Sequence, residues 1–271
     1  MVRLIAVDMD DTVLNNKLEI TGYTREVIKE AVRQGVYVTF ATGRMFRSCR
    51  PFAAELDLDI PLITYNGALI KQAKSETVLY HQPVPLTVAR EIAAWSGRTR
   101  HHLQIYVHDK LYVREINEKA LLYGNRAQVE VIALGDLAGF LTEAPTKMLV
   151  ITDQDHITEV ERELRDTHGQ TVHLTRSKPT FLEILHPAVS KGEALAYLAG
   201  MLGVPREEVM AIGDGYNDLE MLVYAGVSVA MGNAQPYIKA RADFVTLTNE
   251  EDGAAKAIER VLQLPRGRAG P

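Results

Sequence analysis

Asp8 and Asp10 stand two residues apart at the end of a short apolar run, and they are the first side chains in this 271-residue sequence equipped for chemistry. Carboxylates at i and i+2 on an extended segment point the same way, and two close acids tend to split their roles, one ionised and one holding a proton. An aspartate pair at a strand end is also ordinary turn chemistry, so the pair alone decides nothing. A second place is Ala41-Thr42-Gly43-Arg44, where a hydroxyl and a flexible glycine precede a helical pattern running to about residue 56. Such a segment can donate to an anion, or Thr42 can simply cap the helix.

In Ser190-Lys191-Gly192-Glu193 the spacing of Ser190 and Glu193 is that of a capping box, which marks a helix start. Lys191 then lies in a first turn, where a cation opposes the helix dipole unless an anion sits in front of it or water solvates it. Gly213-Asp214-Gly215-Tyr216-Asn217-Asp218 is the most specific segment of the chain. Asp214 and Asp218 are one helical turn apart, and a glycine on each side of Asp214 lets backbone and metal approach closely. Hard oxygen ligands at the mouth of a sheet suit Mg²⁺, which binds through one or two carboxylates plus substrate phosphate.

Three of these places follow runs expected to be buried strands, which lie at residues 4–7, 36–40, 62–64, 209–212, 227–230 and 244–246. Between the first two runs, residues 24–34 carry apolar side chains at helical spacing, closed by Gly35. Strand–helix alternation at both ends of the chain predicts an α/β protein with one doubly wound parallel sheet, whose ligands bind beyond the carboxyl ends of the strands. The middle reads differently, because residues 103–107 and 111–113 flank a hairpin-like turn at His108-Asp109-Lys110. Helical patterns at 86–95 and 157–164 alternate there with strands at 147–151, 171–174 and 181–185. An α+β insert at residues 82–186 therefore interrupts a core formed by 1–81 and 187–271.

With 46% hydrophobic and 24% charged residues, the chain has ample material for a core. A net charge of −5 argues against a broad nucleic-acid-binding surface. Cys49 is the only cysteine, which excludes an internal disulfide framework, fits a reducing compartment and reads as a buried thiol. No leader-like stretch and no membrane-length apolar run is present, so a cytoplasmic protein with no membrane partner is expected. The Pro/Gly-rich end, residues 264–271, reads as a frayed tail.

Together the four segments resemble, in identity and in order, the motif set of the haloacid dehalogenase superfamily of phosphatases. Asp8-Met9-Asp10-Asp11-Thr12-Val13-Leu14 is similar to its first motif, Thr42-Gly43-Arg44 to its second, Lys191 to its third, and the segment from Gly213 to Asp218 to its fourth. The insert, with the Asn66-Gly67-Ala68 turn ahead of it, is similar to the large α/β cap of the Cof-like branch, so the resemblance covers nearly the whole chain. Asp11 is a variation, since many members carry glycine there.

That resemblance implies a Rossmann-like core with an inserted cap that sets substrate specificity, and a Mg²⁺-dependent phosphatase working through an aspartyl phosphate. Asp8 would be the nucleophile and Asp10 the general acid, then base. Asp8, the Asp10 main-chain carbonyl and Asp214 would hold the metal. Met9, Thr42, Gly43, Lys191 and Asn217 would meet the phosphoryl group, and Asp218 would orient Lys191. The partner implied is a small phosphorylated metabolite: sugar phosphates, pyridoxal phosphate and flavin precursors all fit. The chain would act as a monomer or homodimer.

A phosphomutase or biosynthetic sugar-phosphate phosphatase of the same superfamily is the near alternative. A signalling receiver would lack so large an insert, and a decayed metabolite sensor would lack chemically competent residues at these positions. His101 and His102, as neighbours on a strand, point to opposite faces and do not form a metal pair. Trp95 lies among apolar residues at helical spacing and reads as packing, whereas Arg176, Ser177 and Lys178 read as a solvated loop.

Overall fold

The computed structural model describes residues 1–57 and 59–263; the Pro/Gly-rich end lies outside them. From Met1 the elements run β1 (Leu4–Val7), α1 (Gly22–Arg33), β2 (Tyr37–Phe40), α2 (Phe46–Glu55), β3 (Pro61–Thr64), β4 (Leu69–Gln72) and β5 (Val78–His81). The middle carries α3 (Leu86–Thr99), β6 (His102–Val107), β7 (Lys110–Val113), α4 (Glu118–Ala127), β8 (Val131–Ala133), α5 (Leu137–Phe140), β9 (Lys147–Ile151), α6 (Ile157–His168), β10 (His173–Lys178) and β11 (Phe181–Leu185). Then follow α7 (Lys191–Met201), β12 (Val209–Gly213), α8 (Leu219–Tyr224), β13 (Val227–Ala230), α9 (Pro236–Lys239), β14 (Phe244–Val245) and α10 (Gly253–Leu262).

The chain divides into two compact units. Met1–Gly43, Cys49–Leu79 and the chain from Ser190 form one; Arg44–Ser48 and Tyr80–Val189 form the other. In the first, a parallel sheet has the strand order β14-β13-β12-β1-β2. All four residues of β1 are buried, as a strand covered on both faces requires. Its register sets Val7 opposite both Phe40 and Ile212, so Asp8, Ala41 and Gly213 leave the sheet side by side. That alignment, made by strands far apart in sequence, is what gathers the chemistry.

α1 packs Val27, Ile28 and Ala31 inward, with Thr21 accepting a hydrogen bond from the Thr24 N–H at its start and Gly35 in the left-handed region just past its end. The run at 62–64 departs from the single-sheet expectation. A parallel bridge between Ala41, just past β2, and Ile63 is followed by antiparallel pairing with β4. The reversal is made by Tyr65, Asn66 and Gly67, all with positive φ (53°, 56° and 100°). Gly67 is required here, because a Cβ would stand 2.3 Å from the Ser190 carbonyl oxygen just before α7.

The second unit is built on a six-stranded sheet of order β10-β11-β9-β6-β7-β8, antiparallel except for β7 and β8. The β6–β7 turn needs only His108 and Asp109, both with positive φ, so Lys110 already belongs to the strand. Leu103, Ile105, Met148, Val150, Leu182 and Ile184 pack with residues of α3 and α6, including Trp95, in one hydrophobic cluster. Alternation then puts Gln104, Tyr106, Lys147 and Glu183 on the opposite face. The expected loop at Arg176–Lys178 is instead the end of β10: Arg176 is drawn onto Glu161, with Nε donating at 2.7 Å, and Ser177 donates to Glu183 at 2.6 Å. No helix among the described residues is long and apolar enough to cross a membrane.

Candidate active site

After β1 the chain does not continue extended, contrary to the expectation for Asp8 and Asp10. It closes into a tight turn over Met9–Val13, in which the Val13 N–H donates to the Asp8 carbonyl (3.3 Å) and the Leu14 N–H to that of Met9 (2.9 Å). Asp10 keeps extended angles, whereas Asp11 is left-handed at φ 61°, the conformation that suits the glycine of the resembling family. The Met9 side chain is fully buried, which leaves its backbone as the part able to meet a ligand.

Lys191 is the first residue of α7, capped by Ser190, whose Oγ accepts from the Glu193 N–H at 3.1 Å. It is not solvated but has no exposed surface at all. Its Nζ donates to Asp8 Oδ1 and Asp218 Oδ1, both at 2.5 Å. Two carboxylates in front of the helix answer the objection that a cation in a first turn raises.

Asp218 holds more than the lysine. Its Oδ2 accepts from the backbone N–H of Asp214 (3.0 Å) and of Gly215 (2.9 Å), folding the loop after β12 around itself. At Gly213 a Cβ would stand 2.6 Å from the Asp218 carboxyl, so this glycine admits a side chain of its own loop rather than a metal. The loop in turn aims Asp214, whose Oδ1 accepts from Thr12 Oγ1 at 3.0 Å.

One oxygen from each of Asp8, Asp214 and Asp218 lies within 4.8 Å of the others, the sole group of three such ligands among the described residues. One lysine faces them, so negative charge is in surplus. Burial, then the Asp218 charge, push Asp8 up to about 7 against the pull of Lys191, with Asp10 adding a smaller push. Burial, then Asp8 and Asp218, raise Asp214 to about 9. For Lys191, burial pulls downward but the two carboxylates outweigh it and hold the ammonium above the usual lysine range. Hard oxygens grouped this closely are the kind of donors that fit Mg²⁺.

Thr42 is not a helix cap, since α2 begins only at Phe46. Its backbone extends the sheet edge instead, the N–H donating to Ile63 and the carbonyl accepting from the Asn66 N–H, both at 2.9 Å. Asn217 Nδ2 donates to Asn66 Oδ1 at 3.0 Å, and the Asn66 carboxamide lies against Gly43, where a Cβ would meet Oδ1 at 3.0 Å. Asp8, Lys191, Asp214 and Asp218 thus form one contact group, and Gly43 and Asn217 join through Asn66.

A family model described as haloacid dehalogenase-like hydrolase matches residues 5–258. The chain belongs to the haloacid dehalogenase-like hydrolases. Within this hydrolase family it is similar to two Bacillus subtilis proteins named 5-amino-6-(5-phospho-D-ribitylamino)uracil phosphatase. YcsE is 36% identical, with 95% of this chain and 94% of that protein covered; YitU is 31% identical, with 96% and 98% covered. Among solved structures, a haloacid dehalogenase-like hydrolase from Bacteroides thetaiotaomicron superposes with a TM-score of 0.88 at 32% identity, covering 96% of this chain and all of that one. The chain is a haloacid dehalogenase-like enzyme of the phosphatase type, with the α/β core and antiparallel insert of that fold.

Two residues of this haloacid dehalogenase-like site escape a reading of spacing alone. Thr12 is visible in the sequence only as a neighbour of the aspartates, and its bond to Asp214 depends on β1 and β12 being adjacent. Asn66 reads as a turn residue, and only the packing shows that it touches both Gly43 and Asn217.

Proposed function

We propose that the protein is a Mg²⁺-dependent phosphatase that hydrolyses the monoester of a small phosphorylated metabolite, a sugar phosphate or similar compound, through an aspartyl phosphate on Asp8. The observation that carries this reading is the placement of Lys191 Nζ at 2.5 Å from both Asp8 and Asp218, beside the Asp214 carboxylate. The catalytic core is residues 1–81 and 187–271, and the insert at 82–186 selects the substrate. The phosphorylated ribityl chain named for two of its relatives belongs to the same class of ester.

Asp8, Asp214 and the main-chain carbonyl of Asp10 would hold the Mg²⁺. Bound there, the ion supplies positive charge that keeps Asp8 ionised and balances the phosphoryl oxygens. Thr42, Gly43, Lys191, Asn217 and the Met9 backbone hold those oxygens. Asp8 attacks phosphorus while the ester P–O bond breaks, and Asp10 gives its proton to the leaving alkoxide. The same carboxylate then takes a proton from water, whose oxygen attacks the phosphorus of the aspartyl phosphate and frees Asp8 and inorganic phosphate. Asp218 keeps the Lys191 ammonium charged and aimed throughout. The enzyme acts as a monomer or homodimer, and its one cysteine, the buried Cys49, suits the cytoplasm.

The test is a phosphate-release screen over sugar phosphates, pyridoxal phosphate and a phosphorylated ribitylaminopyrimidine, with and without Mg²⁺. Release of inorganic phosphate only when Mg²⁺ is present is expected. Isomerised sugar phosphate without free phosphate would make the enzyme a mutase, and inertness toward every ester would overturn the reading.

A further inference from the structure

Asn66 is where three of the four chemistry-bearing segments meet. Its carboxamide covers Gly43, its Oδ1 accepts from Asn217 Nδ2 at 3.0 Å, and the next residue, Gly67, packs against the Ser190 carbonyl immediately before Lys191. The residue is 1% exposed. It is also left-handed at φ 56° between two other positive-φ residues, a conformation asparagine tolerates better than most side chains and one that fixes where the carboxamide lies.

With the oxygen engaged by Asn217, what remains is the amino group, and Asn66 Nδ2 is buried with no hydrogen-bond partner among the described residues. A buried donor left unmade is costly, and native proteins rarely keep one without a use. The groups beside the carboxamide are among those assigned to the phosphoryl oxygens: Gly43 and Asn217. A phosphoryl oxygen only accepts, so it is the chemical complement of this spare N–H.

We infer that Asn66 is a substrate-binding residue, donating its Nδ2–H to an oxygen of the phosphoryl group; this deepens the phosphatase reading and rests on it. The acceptor arm to Asn217 and the donor arm to the ligand make Asn66 a bridge between the second and fourth segments when substrate is bound.

The experiment is calorimetric titration of the Mg²⁺-loaded protein with inorganic phosphate, run on wild type, N66G and N66D. Glycine keeps the left-handed backbone and removes the carboxamide; aspartate keeps the acceptor for Asn217 and removes the donor. Both are expected to weaken phosphate binding at least about tenfold, the scale of one charge-assisted hydrogen bond. N66G also gives up the bond to Asn217, so thermal midpoints without phosphate are read for each variant to separate lost folding from lost binding. Phosphate affinity within twofold of wild type in both variants would overturn the inference. A parallel phosphate-release assay separates the two readings. Wild type that binds phosphate and loses it in the variants, but cleaves no ester, removes the phosphatase and leaves Asn66 as a phosphate ligand. Wild type that cleaves esters as fast as N66G and N66D do, at the same KM, removes Asn66 alone.

Discussion

Lys191 and Lys147 are both withdrawn from water, one in each unit, but their surroundings differ in charge. Lys191 lies against Asp8 and Asp218, with Asp214 completing a group of three acids. Lys147 meets Glu183 at 2.8 Å, and its ammonium lies 4.9 Å from the centre of the Tyr106 ring. In the insert one cation meets one carboxylate, and a buried pair is close to neutral for stability because desolvation offsets attraction. The core group sets three carboxyl groups against one lysine, an arrangement with room for further positive charge. Surplus charge of one sign in a buried group is therefore the better guide to a ligand site than burial of charge as such.

The strongest way to break this contrast is through the nucleophile. Asp8→Asn is expected to lower phosphate release by at least about 10⁴-fold, since removing an attacking group leaves little of the chemical step. Binding of inorganic phosphate in the presence of Mg²⁺ should stay measurable. A variant that still turns over normally would show that Asp8 is not the attacking group, and the charge surplus would then need another explanation.

A second comparison pits the two lysines directly. Lys147→Met strands the Glu183 carboxylate and should cost about 3–5 kcal/mol of unfolding free energy, read from denaturant midpoints, whereas Lys147→Met with Glu183→Leu should return to within about 1 kcal/mol of wild type. Lys191→Met with Asp218→Leu should recover no turnover, because those groups serve a ligand and not only each other. If the core double variant regained activity, Lys191 would be a structural cation like its counterpart.

The sequence makes the strands legible because runs such as residues 4–7 and 209–212 are apolar and end in acids. Lys191 is legible as an anomaly, a cation in the wrong turn of a helix. What is not legible comes from geometry between distant segments. The bond from Thr12 to Asp214 and the hold of Asp218 on its own loop follow from strand register and from a turn, not from spacing. The insert is read less completely, because short elements such as β8 and α5 carry too few residues for a period to show. Arg176 reads as a loop residue by its polarity, yet it lies in β10 with its partner Glu161 supplied by α6.

Metal binding sharpens the contrast next. A saturating divalent cation, at about a hundred times its dissociation constant, adds about 2.7 kcal/mol and should raise the melting temperature by about 5–10 °C. The gain should depend on pH. Asp8 (about 7) and Asp214 (about 9) titrate above their ordinary value of 3.8, so between those limits the folded protein binds more protons than the unfolded chain. Stability without metal is then highest in acid and falls as pH rises through the folded values. Mg²⁺ should repair that loss, its stabilisation growing from pH 6 to pH 8 in differential scanning calorimetry. A shift of the same size at both pH values would mean that the cation binds elsewhere.

The smallest effect has the opposite sign and belongs to the insert. His102 lies between the carboxamides of Gln104 and Asn117, and burial, followed by the Lys119 charge, lowers it from 6.5 to about 4. Below pH 6.5 the unfolded chain binds the proton that the folded insert refuses, so this residue's contribution falls as pH drops from 6.5 toward 4. The size is about 2 kcal/mol once its partial exposure is discounted. Acid therefore stabilises the core site and loosens the insert. His102→Gln keeps a polar side chain between the two amides and has nothing to titrate; from pH 4 to 6.5 the His102 term opposes the fall in unfolding free energy set by Asp8 and Asp214, so the variant's fall should be steeper by about that amount. An unchanged slope in denaturant titrations from pH 4 to 7 would remove His102 as the source of that opposition.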